Sequence, residues 1–155
     1  MNNRAVSKAN EIIEKHKSND PEIILKRLGI DVLDVPLAGR MKELYFKDHI
    51  VLKAGLESPE KRQLLAHALC HHLLHAGNHL RIKDRSYSFD NYHEKQADVF
   101  AAYLLMPESK LEKLIDDNLT IYDLAENFEV MPYFAKFRIG LAKYYQPKKY
   151  QVMWK

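Results

Sequence analysis

At 155 residues and 46% hydrophobic content, the chain is long enough to bury one core, and no break in composition divides it in two. Its 24 Lys and Arg against 21 Asp and Glu leave a formal charge of +3, too small to require a nucleic acid or a membrane as partner. No apolar run of about 18 residues is present, the N-terminal MNNRAVSKANEIIEKHK is too polar for a signal peptide, and the lone Cys70 excludes an internal disulfide, so a soluble, cytoplasmic protein is expected.

Ala9, Ile12 and Ile13 among charges predict a short amphipathic helix over Ala5 to Lys17. Asp20-Pro21 supplies a cap followed by proline, opening a second helix from Glu22 to Leu28 that Gly29 closes. Ile30 to Val35, Met41 to Phe46 and His49 to Lys53 read as strands, separated by Pro36, Gly39 and a Lys47-Asp48 turn. They predict a small, mostly antiparallel sheet of about three strands. Ser58-Pro59-Glu60 repeats the cap-then-proline signal for a helix to about His75, stopped at Gly77-Asn78. The polar segment 78–91 reads as a loop. A third long helix is expected from Tyr92 to Met106, followed by helices at Ser109 to Asp117, Thr120 to Phe128 and Pro132 to Tyr145, then a tail broken by Pro147.

Six of the eight histidines fall between His67 and His93. In LLAHALCHHLLH, His67 and His71 lie about 40° apart around the helix and about 6 Å apart along it, so their imidazoles can converge on one ion. The next long helix carries Glu94, Ala97, Asp98, Ala101, Leu104 and Leu105 on its core-facing side. An uncompensated carboxylate facing a core costs several kcal/mol, whereas a divalent cation would stabilise Glu94 and a ring N–H would satisfy Asp98. His67, His71 and Glu94 are therefore the candidate ligands, with Asp98 behind one histidine. Such a set leaves a coordination position open, as catalytic zinc sites do. The alternatives are a capping box from Asn91 to Glu94 and a salt bridge from Asp98 to Lys95, Arg81 or Arg85. His72, His75 and His79 read as surface or supporting residues, with His75 able to reach the site mouth. Cys70 is expected to be a small buried residue, the alternatives being an extra ligand or a redox element. Tyr87, Tyr92 and His93 are candidate oxyanion donors.

With these residues placed, the chain resembles the ImmA/IrrE family of zinc metallopeptidases of bacteria, phages and integrative elements. The resemblance covers most of the chain: LGI and the strands after it, LAHALCHHLLHAGNHL against a family pattern close to LAHELGHHLLH, and HEKQADVFAAYLLMP against the family's Glu, Ala-Asp or Ala-Asn pair and FAxxLLMP. It implies an α+β fold with a helical C-terminal part. It also implies a gluzincin-like Zn²⁺ site at His67, His71 and Glu94, and action on a helix-turn-helix repressor. On that reading the chain is one metallopeptidase-like domain, with a metal-binding core at 1–106, a helical subdomain at 107–145 and a basic tail at 146–155. Two positions depart from the pattern. The general-base glutamate would stand at position 68, where this chain has Ala68, and the usual glycine is Cys70. Positions 68 and 70 flank the His67–His71 midline by about 80° on opposite sides. A glutamate can reach in from such a flank and a methyl group cannot, so impaired catalysis is expected.

Two other readings remain open: a metal-stabilised module that binds a repressor without cutting it, and a DNA-binding regulator. The second draws on the 120–144 helix pair, which has the look of a helix-turn-helix with Lys136, Arg138 and Lys143 on its second helix. Against it stand Glu129 where a turn glycine is usual, Arg138 where an aliphatic residue is usual, and the packing stripe Tyr133, Phe134 and Phe137. Direct DNA binding and membrane association are not expected.

Overall fold

The computed structural model describes residues 3–46, 48–75, 80–83, 91–114 and 117–150. In chain order its elements are α1 (Asn3–His16), α2 (Pro21–Arg27), β1 (Asp31–Val35), β2 (Glu43–Phe46), β3 (His49–Lys53), α3 (Ser58–Leu74), β4 (Leu80–Lys83), α4 (Asn91–Leu105), α5 (Glu108–Glu112), α6 (Ile121–Phe128), α7 (Pro132–Tyr145) and α8 (Pro147–Tyr150). This is the α+β class expected. The Gly77-Asn78 stop, Lys47, His79, the side chains of Arg81 and Asn91, Arg85, Tyr87 and residues 151–155 of the basic tail lie outside the described residues.

The sheet is mostly antiparallel, as expected, and has one strand more than the three predicted. It has four strands in the order β1-β3-β2-β4, the last drawn from the segment read as loop. Leu80–Lys83 pairs antiparallel with β2, Leu44 opposite Ile82. The first strand pairs with β3 in parallel, Leu33 beside Val51, because the chain after Val35 crosses to the far side of β3 before β2 begins. β2 and β3 are antiparallel, with Tyr45 opposite Ile50. Along β3 the side chains of Ile50 and Leu52 are buried and alternate with more exposed neighbours, so one face of the sheet meets the helices.

Helix ends follow local chemistry. Asp20 caps α2, its side chain accepting from Glu22 N at 2.9 Å, and Gly29 leaves the helix at φ +72°. Ser58 is the first residue of α3 instead of its cap. Glu57 takes that place without a side-chain bond, and Pro59 fixes the first turn. The helix expected at Ser109 to Asp117 is shorter, Glu108–Glu112, and Pro147 starts α8 where a break was expected, since proline fits a first helical turn.

At the centre α4 packs against α1, α3 and α7. From Gln96 to Met106 every residue but Asp98 is buried, because three helices surround α4 where an amphipathic stripe would serve one. Ala5, Ala9 and Ile12 of α1 bring small side chains to that contact, and Phe134, Ala135, Ile139 and Ala142 bury α7. Among the described residues no helix is long and apolar enough to cross a membrane.

Candidate metal centre

The packing of α3 against α4 brings His67, His71, Glu94 and Asp98 together. His67 and His71 occupy successive turns of α3 and are buried, with Nε2 atoms 3.0 Å apart. Across the helix interface Glu94 lies in the first turn of α4 and reaches both: Oε2 is 3.1 Å from His67 Nε2 and Oε1 is 3.1 Å from His71 Nε2. Their ligand atoms all lie within 4.8 Å of one another, the set among the described residues that could hold a metal ion.

The outer ring nitrogens define the tautomers. His67 Nδ1 is 2.8 Å from Asp98 Oδ1; the carboxylate accepts, so Nδ1 carries the proton and the Nε2 lone pair faces Glu94. Behind His71 runs a longer chain. His75 Nε2 donates to Gln96 Oε1 at 2.7 Å, which leaves its Nδ1 to accept from His71 Nδ1 at 2.9 Å. That in turn aims the second Nε2 lone pair inward. Two imidazole lone pairs and a carboxylate thus converge, an electron-rich arrangement that a cation completes. The donor set of two nitrogens and carboxylate oxygen fits zinc, and hydrogen bonds behind ligating histidines are the usual means of orienting them.

His67 also opens on a cavity of about 320 Å³, together with Asp98 and Ala101 of α4, Gln63 and Leu64 of α3, Glu43 of β2 and Tyr133, Phe134 and Phe137 of α7. Gln63 fastens α7 in place: its Oε1 accepts from Met131 N at 2.6 Å and its Nε2 donates to Tyr133 Oη at 2.8 Å. Arg40 and the ion pair of Lys42 with Glu60 also line the cavity.

Other expected site residues lie elsewhere. His75 is buried behind His71, in the supporting place read for it and not at the site mouth it was able to reach, with the ring of His93 tilted against it at 4.1 Å between centroids. Tyr92 is exposed and packs edge-on against His93. His72 meets Tyr45 Oη at 2.7 Å through Nδ1. Cys70 is packed inside, as expected of a small buried residue, and not at the site mouth. It is fully buried, with Sγ 3.9 Å from Gln96 O, and burial pushes its thiol up to about 12. A protonated, enclosed thiol is neither a ligand nor a redox element. Alkylation by a maleimide at neutral pH should therefore wait for unfolding; rapid labelling of the native protein would contradict this burial.

The helix pair at 121–145 walls the cavity. Arg138, which stands where a helix-turn-helix would bury an aliphatic residue, is 0% exposed, its Nε donating to Met106 O at 3.0 Å and its Nη2 to Glu108 Oε2 at 2.8 Å. Glu129 holds the turn at φ +53°, the left-handed conformation glycine would favour. Sequence reasoning overlooked Glu43, Gln96 and Tyr133. For Glu43 the available signal was strand alternation, which puts it on the same face as Tyr45.

Comparison with known proteins adds two findings. The model of a peptidase family described as IrrE N-terminal-like domain matches residues 25–140. A protein of Bacillus phage phi105 named "Uncharacterized immunity region protein 2" is 28% identical over 120 residues, covering 74% of this chain and 75% of its own length.

Proposed function

The chain belongs to the peptidase family of IrrE N-terminal-like domains, and from that premise we propose that it is a zinc-dependent endopeptidase-type protein acting on a helix-turn-helix transcriptional repressor. His67, His71 and Glu94 hold the zinc, Asp98 fixes the His67 tautomer, and the whole chain works as one unit in the cytoplasm. The observation that carries this reading is the convergence of two imidazole nitrogens and a carboxylate within 4.8 Å on the wall of a cavity. A divalent cation bound there supplies Lewis-acid chemistry, polarising a carbonyl and acidifying water. The phage relative is named for an immunity region, which agrees with the repressor partner that the family resemblance implies.

The HxxxH helix does not supply its own proton shuttle. Ala68 is buried, 2% exposed, and ends at a methyl group. General acid–base catalysis is worth about 10² to 10⁴ in rate, so α3 alone would make a weak hydrolase. That position favours a second reading, a metal-stabilised module that grips the repressor without cutting it. The two separate in one experiment. Purified protein, loaded with one equivalent of zinc, is incubated with the repressor encoded nearest its gene, with and without a chelator. Chelator-sensitive repressor fragments are the expected result. A stable zinc-dependent complex of intact repressor supports the gripping module, and neither fragments nor complex overturns the proposed partner.

A further inference from the structure

We propose that Glu43 of β2 is the catalytic carboxylate of this site, entering from the strand on the flank of α3 where Ala68 has none. This inference rests on the peptidase reading above and deepens it.

The flank is fixed by a neighbouring contact. His72 meets Tyr45 of β2, and position 72 stands one turn beyond position 68 on the same row of the helix. The row of Ala68 is therefore the one turned toward β2. Along a strand, residues two apart point to the same face, which puts Glu43 beside Tyr45. Their separation is about 6.7 Å, close to the roughly 6 Å between positions 68 and 72 on the helix. Strand and helix thus run in step, and Glu43 arrives opposite the His67–Ala68 turn as Tyr45 arrives opposite His72. The coordinates agree: Glu43 Oε1 lies 3.9 Å from His67 Nε2, the ring nitrogen turned toward the candidate metal position.

Two further observations separate this role from others. Glu43 is 6% exposed yet lines the cavity with His67. A buried carboxylate costs several kcal/mol, and an aliphatic residue would serve a plain core strand better. Glu43 also falls outside the mutually close set formed by His67, His71 and Glu94. It thus stands next to the candidate ligands without belonging to their set.

In the reaction the oxygen of water bonds to the peptide carbonyl carbon while Glu43 takes a proton from that water, and the carbonyl π pair moves to oxygen. When that pair returns, the C–N bond breaks, its electrons pass to nitrogen, and the proton on Glu43 follows them. One water is consumed, a carboxylic acid and an amine leave, and Glu43 ends as a carboxylate.

The test compares the full-length zinc protein with Glu43→Gln, Glu43→Asp and the double variant Glu43→Gln with Ala68→Glu, using three readouts. These are zinc stoichiometry, the visible spectrum after cobalt substitution, and calorimetric affinity for acetohydroxamate; repressor cleavage is followed alongside. A hydroxamate places a protonated oxygen beside such a carboxylate, which accepts its hydrogen bond. Glu43→Gln is expected to keep one zinc and an unchanged cobalt spectrum, bind acetohydroxamate about tenfold or more weakly, and cleave about 10² to 10⁴ more slowly. Glu43→Asp, which retains the charge but withdraws it by one methylene, should lose kcat at unchanged KM. The double variant should regain cleavage to within about tenfold, since a glutamate at position 68 enters from the same flank that Glu43 serves. An altered cobalt spectrum or lost zinc in Glu43→Gln would make Glu43 a ligand and overturn the proposal. Unchanged hydroxamate affinity overturns it too, while leaving the peptidase reading intact. If the wild-type protein binds no zinc, both fall together; if it binds zinc and hydroxamate but leaves the repressor whole, only the proposed substrate fails.

Discussion

If His67, His71 and Glu94 hold zinc as proposed, replacing His67 with alanine is expected to abolish stoichiometric zinc binding and the thermal stabilisation that comes with it. His67 contributes twice: its Nε2 faces His71 and Glu94, and its Nδ1 holds Asp98. Without it one imidazole and one carboxylate remain, too few to outcompete water for a divalent ion at micromolar concentration. Asp98→Ala should do less, weakening zinc by about 10- to 100-fold, the usual effect of removing a partner that orients a ligating histidine. A ligand at 100 times its Kd stabilises a fold by about 2.7 kcal/mol, which for a chain of this size is roughly 5 to 10 °C in melting temperature. That shift should be present in wild type, reduced in Asp98→Ala and absent in His67→Ala. Unchanged zinc stoichiometry in His67→Ala would show that the ion, if any, binds elsewhere.

Much of this arrangement is legible before any coordinates. The i, i+4 spacing of His67 and His71 and the carboxylates on the inner side of α4 each imply a polar cluster in an apolar setting. Together they imply that the cluster is shared, and the fold does bring the four side chains together. What the chain conceals is anything settled by the partner surface. Leu80–Lys83 alternates apolar and polar residues over only four positions, too short a run to stand out inside a polar segment, and its pairing comes from β2, which offers an open edge. Alternation shows that Glu43 and Tyr45 share a face, but not that His67 and His72 stand opposite. His75 could be placed on the histidine row of α3, but burial behind His71 depends on Gln96 arriving from α4. Arg138 falls at a position that reads as buried, but only Met106 O, Glu108 and the ring of Tyr103 explain how a cation is held there.

That buried arginine sets the largest stability effect expected in the molecule. Its guanidinium lies 3.8 Å from the centroid of Tyr103 and bonds the carbonyl that ends α4 and the carboxylate that begins α5. Glu108 also accepts from Gln146 Nε2 at 3.1 Å and from the Tyr150 hydroxyl, so one carboxylate ties α7 and α8 to the end of α4. Glu108→Ala would leave a buried charge without its counter-ion, which costs about 3 to 5 kcal/mol, whereas Arg138→Met exchanges the pair for apolar volume and should be far milder. The pH dependence has a definite sign. Burial alone would raise the Glu108 carboxyl, but the hydrogen bonds from Tyr150 and Arg138 outweigh it and hold the group below its ordinary value of 4.5. A depressed carboxyl contributes its full stability above the unfolded value and loses it as pH falls through the folded one. Urea unfolding should therefore show wild type losing more stability than Glu108→Gln as the medium is acidified below about pH 4.5. A loss of under about 1 kcal/mol in Glu108→Ala at pH 7 would mean that Arg138 finds other partners. Because α7 also carries Tyr133 and Phe134 to the cavity wall, the same substitution should disturb that wall, and with it the proposed repressor contact, while leaving the proposed zinc stoichiometry untouched. Metal and wall would then prove separable, as expected if α3 and α4 hold the ion and α7 shapes the space in front of it.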